Sequence, residues 1–155
     1  MKILIVEDNR QKLNYLQTFI SGEIPQGEVR SQRSYQSGLD EALHWKPDLI
    51  ILDMSMPTYD TSPTESGGRP RSYGGRDILR EISRKRLKSK AIVVTGFETF
   101  GEGEEVRTLE ELRAGLAQQF PANYVTTVFF SSAETTWQEQ LRNALSTAFP
   151  NGEVG

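Results

Sequence analysis

The stretch PDLIILDMSMP, residues 47–57, contains the apolar run Leu49–Leu52, which ends directly at Asp53. A continuous apolar run of this length is typical of a strand buried on both faces, as in a parallel sheet covered by helices. In open α/β sheets, ligands bind beyond the carboxyl ends of the strands. The stretch therefore predicts a central strand that presents Asp53 at the ligand-binding edge of a sheet.

Similar apolar runs occur at residues 3–6, 91–94 and 124–130, and Val29 indicates a weaker strand between the first two. Helical spacing of apolar residues fills the intervals between these runs. The helical stripes are Leu13, Leu16 and Ile20; Leu39, Ala42 and Leu43; Ile78, Leu79 and Ile82; Leu109, Leu112, Leu116 and Phe120; and Trp137, Leu141, Leu145 and Phe149. Strict alternation of strands and helices predicts an α/β fold with right-handed crossovers and helices on both faces of the sheet.

Two polar stretches interrupt this alternation. Residues 58–75 are dominated by Gly, Pro, Ser and Thr, and a loop of that length is uncommon inside a compact domain. We interpret it as a flexible insertion, and we interpret the glutamate-rich region near 98–108 as an acidic insertion. The 155 residues then form a single domain over 1–150 with a tail at 151–155.

The composition excludes several classes of site. The chain has no cysteine and one histidine, His44, so disulfide frameworks, thiol nucleophiles and Cys/His zinc sites are ruled out. Any metal must be a hard cation held by carboxylates and carbonyls. A net charge of −3 gives no general attraction to nucleic acid or membranes, and no apolar run approaches the ~18–20 residues of a membrane span. We expect a cytoplasmic protein with protein partners.

Acidic residues follow the apolar runs where a ligand site is expected. Glu7 and Asp8 follow the run at 3–6, Asp53 follows Leu49–Leu52, and Thr95 follows the run at 91–94. Neighbouring carboxylates raise one another's pKa unless a cation neutralises them, and an oxygen-rich site of this kind suits Mg²⁺. A carboxylate beside Mg²⁺ can act as a nucleophile toward a phosphoryl group. Taken alone, Glu7 and Asp8 could equally be acids in the first turn of a helix.

Three motifs in order, MKILIVEDN, PDLIILDMSMP and IVVTG, resemble the first, third and fourth strands of a response-regulator receiver domain. The resemblance covers most of residues 1–96 apart from the loop insertion, and extends more loosely to about Phe149. It implies a doubly wound, flavodoxin-like α/β fold, in which five helices surround a five-stranded parallel sheet of order 2-1-3-4-5.

The resemblance also implies roles for individual residues. Asp53 would accept a phosphoryl group from the phosphohistidine of a partner kinase. Glu7, Asp8 and Asp53 would hold Mg²⁺ together with the backbone carbonyl of Ser55. The hydroxyl of Thr95 would bind the phosphoryl group and move on activation.

The sequence departs from this family at the fifth strand. Receivers carry a lysine there that pairs with the phosphoryl group, but no lysine follows Lys90 in this chain. The equivalent position is Ser131 or Thr127, depending on the alignment. A charge-assisted hydrogen bond is then missing unless Arg10, Lys12 or another arginine reaches the pocket.

The same two alignments give two candidates for the aromatic residue that switches conformation in receivers, Phe129 and Tyr124. Both predicted insertions border the pocket, which makes the chain a divergent receiver. The expected partners are a histidine kinase or phosphotransfer protein and a downstream protein of unknown identity, and homodimers of the receiver type are compatible with the sequence.

The leading interpretation is a stand-alone phospho-acceptor module of a two-component-type phosphorelay, with no enzymatic activity beyond slow autodephosphorylation. One alternative is a pseudo-receiver, a scaffold that binds partners without phosphorylation. The other is a Mg²⁺-dependent phosphatase-like enzyme. Such enzymes need a second aspartate two residues after the nucleophile, and Ser55 stands there.

Overall fold

A central sheet of five parallel strands organises the chain. The computed structural model describes residues 1–61, 67–68, 70–101 and 106–150. The strands of the sheet are β1 (Lys2–Val6), β2 (Glu28–Gln32), β3 (Leu49–Leu52), β4 (Lys90–Thr95) and β5 (Tyr124–Phe129). Their order across the sheet is β2-β1-β3-β4-β5, which confirms the predicted arrangement.

Five helices connect the strands and cover both faces of the sheet. They are α1 (Arg10–Glu23), α2 (Tyr35–Trp45), α3 (Gly74–Arg84), α4 (Leu109–Gln119) and α5 (Thr136–Ala148). Alternate strand residues point to opposite faces, so Ile3 and Ile5 pack against α1 and α5, whereas Leu4 and Val6 pack in a second core with the other three helices. Burial on both faces explains why the strand sequences are continuously apolar.

The strand register brings the candidate site residues to one edge of the sheet. Val6 of β1 pairs with Leu52 of β3, so the residues that follow these strands emerge side by side. The Asp53 amide donates a hydrogen bond to the Val6 carbonyl at 3.2 Å, which extends this pairing by one residue. β4 continues past its pairing with Leu52 and ends at Thr95.

The structure describes part of each predicted insertion. Met56–Pro57 pairs antiparallel with Pro70–Arg71, and Thr99–Phe100 pairs antiparallel with Arg107–Thr108. Residues 62–66, 69, 102–105 and 151–155 lie outside the described residues. The flexibility of the first insertion and the tail at 151–155 therefore stay predictions. Within the described ranges, no helix has the length and apolar character needed to cross a bilayer.

Candidate functional site

Three carboxylates meet at the carboxyl edge of the sheet, as the sequence predicts. Glu7, Asp8 and Asp53 each place an oxygen within 4.8 Å of the others. Glu7 and Asp53 are buried, with exposures of 2% and 5%, and Asp8 is exposed. The cluster lines a cavity of about 680 Å³. The arrangement combines buried, oriented carboxylates with access from solvent.

A lysine of the first helix enters this cluster. The side chain of Lys12 is 8% exposed, and its Nζ lies 2.7 Å from Glu7 Oε1 and 2.9 Å from Asp53 Oδ2. Nζ also donates a hydrogen bond to the Val94 carbonyl at 2.7 Å. Arg10, the other basic side chain of this helix turn, is exposed. A positive charge therefore enters the carboxylate cluster from α1.

The start of α1 explains how Lys12 reaches the carboxylates. Asn9 caps the helix, because its Oδ1 accepts a hydrogen bond from the Lys12 amide at 3.0 Å. The Asn9 amide in turn donates to Glu7 Oε2 at 3.1 Å. Side chains of a helix lean toward its N-terminus. A lysine in the first turn of α1 is thus directed back at the strand ends from which the helix departs.

Burial and neighbouring charges set the ionisation of Glu7. Loss of hydration raises the pKa of Glu7 to about 7, against an ordinary value of 4.5. The Lys12 ammonium opposes this rise and the Asp53 carboxylate adds to it. The ion pair therefore offsets only part of the desolvation of this carboxyl.

The donor set fits Mg²⁺, which prefers oxygen ligands and retains several waters. Glu7 Oε1 is buried, and its partner is the Lys12 ammonium at 2.7 Å. The exposed carboxylate of Asp8 and the carboxylate of Asp53 provide further oxygens. Three carboxylates against one ammonium leave a net negative charge that a divalent cation would neutralise.

The carboxylate of Asp53 is oriented through both of its oxygens. Oδ1 accepts a hydrogen bond from the Met54 amide at 2.7 Å, and Oδ2 accepts one from Lys12 Nζ at 2.9 Å. Ser55, the predicted carbonyl ligand, also lines the cavity. The strand end and the helix together hold the predicted acceptor in one orientation.

Thr95, the predicted phosphoryl-binding hydroxyl, is fully buried at the end of β4. Its Oγ1 accepts a hydrogen bond from the Phe97 amide at 3.2 Å. A hydroxyl that accepts one hydrogen bond can still donate another. Gly96 and Phe97, which follow it directly, line the cavity.

The two candidate switch aromatics lie at opposite ends of β5. Phe129 pairs with Thr95 and lines the cavity. Tyr124 pairs with Ala91 at the far end, where its hydroxyl shares a hydrogen bond of 2.6 Å with Thr127 Oγ1. The structure therefore brings Phe129 to the site and not Tyr124.

Thr127 and Ser131, the two candidates for the position of the family lysine, differ in the same way. Ser131 lines the cavity, whereas Thr127 is buried within β5 and pairs with Val93. This geometry supports the alignment that places Ser131 at the lysine position.

Gly75 is a residue of the site that sequence reasoning assigned to a flexible loop. It lies in the first turn of α3, and its amide donates to the Met54 carbonyl at 2.9 Å. A Cβ at this position would overlap the Asp53 carbonyl oxygen and approach Leu52 Cδ1 to 2.8 Å. The absence of a side chain lets α3 pack directly on the backbone that carries Asp53. The signal available in the sequence was the Gly-Gly pair immediately before an apolar helical stripe.

Comparisons with known proteins place this geometry in context. No family model matches the chain. The chain is 37% identical over 147 residues to the uncharacterised protein y4jR of Sinorhizobium fredii, covering 93% of this chain and 96% of that protein. It is 29% identical over 143 residues to the Detocs response regulatory protein DtcB of Enterobacter cloacae, covering 91% and 95% of the two chains. A response regulator receiver domain protein from Clostridium thermocellum superposes with a TM-score of 0.63 at 20% identity, covering 99% and 97%.

Proposed function

This chain is a response-regulator receiver domain, in one family with the rhizobial protein y4jR, and we propose that it is a phospho-acceptor module of a two-component-type phosphorelay. Receiver domains are generally signalling modules rather than enzymes. The observation that carries the proposal is the buried, doubly oriented carboxylate of Asp53 at the base of an acidic cavity.

The proposed reaction is the transfer of a phosphoryl group to Asp53. A carboxylate oxygen attacks the phosphorus of a partner's phosphohistidine, so a P–O bond forms as the P–N bond breaks. The imidazole nitrogen keeps the electron pair of the broken bond and takes up a proton, and Asp53 becomes an acyl phosphate. The Met54 amide, hydrogen-bonded to Oδ1, restrains the carboxylate during the attack.

Around this reaction the other site residues have supporting roles. Glu7, Asp8, Asp53 and the Ser55 carbonyl would hold Mg²⁺, which supplies positive charge to the transferred oxygens when bound. We propose that the buried hydroxyl of Thr95 donates a hydrogen bond to the phosphoryl group. Its oxygen accepts a hydrogen bond from the Phe97 amide, and this contact leaves the hydroxyl hydrogen available.

The proposed partners are a histidine kinase or phosphotransfer protein and a downstream protein. We further propose that the chain forms homodimers and that it acts in the cytoplasm. The similarity to a protein named as a response regulatory protein supports the proposal of a kinase or phosphotransfer partner.

One observation favours a second function, a scaffold that binds partners without phosphorylation. Lys12 already contributes a positive charge between Glu7 and Asp53 without a metal ion. A site that is partly neutralised within the chain could persist in a protein whose output is constitutive binding.

Acetyl phosphate with Mg²⁺ separates the two functions. We expect intact-protein mass spectrometry to show the gain of one phosphoryl group, and hydroxylamine to remove it as expected of an acyl phosphate. Asp53→Asn should abolish the gain. Asp48→Asn is a matched control, because Asp48 is exposed and precedes the opposite end of the same strand. A wild-type protein that never gains the group would refute phosphoacceptance and favour the scaffold.

A further inference from the structure

We propose that Lys12 is the phosphoryl-binding cation of this receiver, carried by the first helix instead of the fifth strand. This inference rests on the proposed function of Asp53 as acceptor. It assigns to one residue both the orientation of the acceptor before transfer and the binding of the phosphoryl group afterwards.

The position of the ammonium group carries the proposal. Lys12 Nζ contacts oxygens from three segments, namely Glu7 after β1, Asp53 after β3, and the Val94 carbonyl within β4. It lies 2.9 Å from Asp53 Oδ2, so a phosphorus atom bonded to this carboxylate would bring its own oxygens next to Nζ. Rotation about the end of a lysine side chain can exchange a carboxylate partner for a phosphoryl oxygen because the ammonium has three rotatable donors.

The charge balance of the site favours a cation at this place in addition to Mg²⁺. Phosphorylation replaces the single negative charge of Asp53 with a group that carries about two, as phosphate monoesters do. Glu7 and Asp8 add further negative charge within the same cluster. Among the described residues, Lys12 is the basic side chain that forms ion pairs with these carboxylates. At the end of β5, Ser131 provides a hydroxyl and no charge.

The same contacts connect the phosphoryl site to the first helix. Lys12 Nζ lies 5.9 Å from the centre of the Phe130 ring, and Phe130 packs on Tyr15 of α1 and on Trp137 of α5. A lysine that turns toward a phosphoryl group changes its contacts with Val94 and with this aromatic cluster. In this receiver α1 itself therefore senses phosphorylation.

A purely structural role for Lys12 is the competing explanation, because a buried ion pair also balances two carboxylates. The two roles differ in what a relocated lysine can do. A lysine placed at Ser131 lines the same cavity, so it can bind the phosphoryl group, but it leaves α1 without its buried ammonium. Restoration of phosphorylation by the relocated lysine is therefore specific to phosphoryl binding.

The experiment compares wild type, Lys12→Gln, the double variant Lys12→Gln/Ser131→Lys, and Arg10→Gln as a matched control from the same helix turn. Circular dichroism first establishes that each variant folds. The rate of phosphorylation by acetyl phosphate with Mg²⁺ and the affinity for beryllofluoride are then measured. We expect Lys12→Gln to lower both about 10- to 100-fold, the contribution of one charge-assisted hydrogen bond. The double variant should recover most of the lost phosphorylation rate and beryllofluoride affinity, and Arg10→Gln should match wild type in both.

Each outcome bears on the inference. If wild type is phosphorylated and Lys12→Gln performs equally well, Lys12 does not bind the phosphoryl group and the proposed function still stands. If folded Lys12→Gln loses activity and the double variant does not recover it, the role of Lys12 is structural and the inference fails. If wild type is never phosphorylated, the proposed function fails and the inference fails with it.

Should Lys12→Gln not fold, the wild-type protein provides the decisive measurement. The ¹⁵Nζ signal of Lys12, assigned through its proximity to Phe130, is recorded with Mg²⁺ before and after beryllofluoride is added. A shift that is absent in Asp53→Asn supports direct binding. A signal that does not change when beryllofluoride is bound overturns the proposal.

Discussion

The buried carboxyl of Glu7 makes the stability of the metal-free protein depend on pH. Its pKa is raised to about 7 in the folded protein, chiefly by burial, against 4.5 for an exposed glutamate. The folded state therefore holds this proton more tightly than the unfolded state does. The contribution of Glu7 to the free energy of unfolding is therefore greatest below about pH 4.5 and is lost as pH rises toward 7, where the folded protein must also ionise this carboxyl.

The size of this effect follows from the two pKa values. A rise from 4.5 to about 7 corresponds to about 3 kcal/mol of unfolding free energy across this pH range. Because Glu7 is 2% exposed, solvent screening removes little of this amount. The substitution Glu7→Gln keeps the shape of the side chain and removes its titration, so it should abolish this component of the pH dependence.

Urea denaturation in EDTA at several pH values between 4.5 and 8 measures the effect. We expect the stability of wild type to decline relative to Glu7→Gln by about 3 kcal/mol over the range. Glu134→Gln is the control, because Glu134 is exposed and lies outside the carboxylate cluster. If the unfolding free energies of wild type and Glu7→Gln change in parallel with pH, the conclusion that burial raises the pKa of Glu7 is refuted.

Two further predictions concern packing around the site and in the core. Gly75→Ala should lower stability by about 1–3 kcal/mol and slow phosphorylation by acetyl phosphate, because its Cβ overlaps the Asp53 carbonyl. Gly115→Ala, which has open space around its Cβ, should be neutral or stabilising in both measurements, and equal effects of the two substitutions would contradict the argument. Leu141→Ala should lower the unfolding free energy by about 2–5 kcal/mol in urea, since Leu141 is fully buried, while Gln140→Ala at the exposed neighbouring position should change it little.

The alternation of strands and helices followed from local patterns in the sequence, and the strand order from the resemblance to receiver domains. Strands buried on both faces of a sheet must be continuously apolar over a few residues, and Leu49–Leu52 shows this pattern without ambiguity. Helices that cover one face must be apolar at helical spacing, which placed Leu141 and its neighbours on α5. Glu7 and Asp53 could be assigned to one site because parallel strands end at the same edge of the sheet.

Register and close packing decided what such patterns leave open. The choice between Phe129 and Tyr124 depended on how β5 pairs with β4, and the apolar pattern of β5 allows either alignment. The sequence pattern assigned Gly75 to a loop, because a glycine pair indicates local conformational freedom. The contact that requires a glycine at this position comes instead from the backbone of Asp53, which is distant in sequence. Neither interaction is encoded in a short window of residues.

The position of Lys12 is the clearest case of a feature decided by tertiary structure. From the sequence it was one of several basic side chains that could supply the missing charge, because a lysine in a first helical turn is ordinarily solvated. Capping by Asn9 and the packing of α1 on the sheet direct its ammonium between Glu7 and Asp53. The sequence by itself determined that acidic groups meet at a strand edge. Only the folded chain determined which cation meets them, because that depends on the approach of a helix to three strand ends at once.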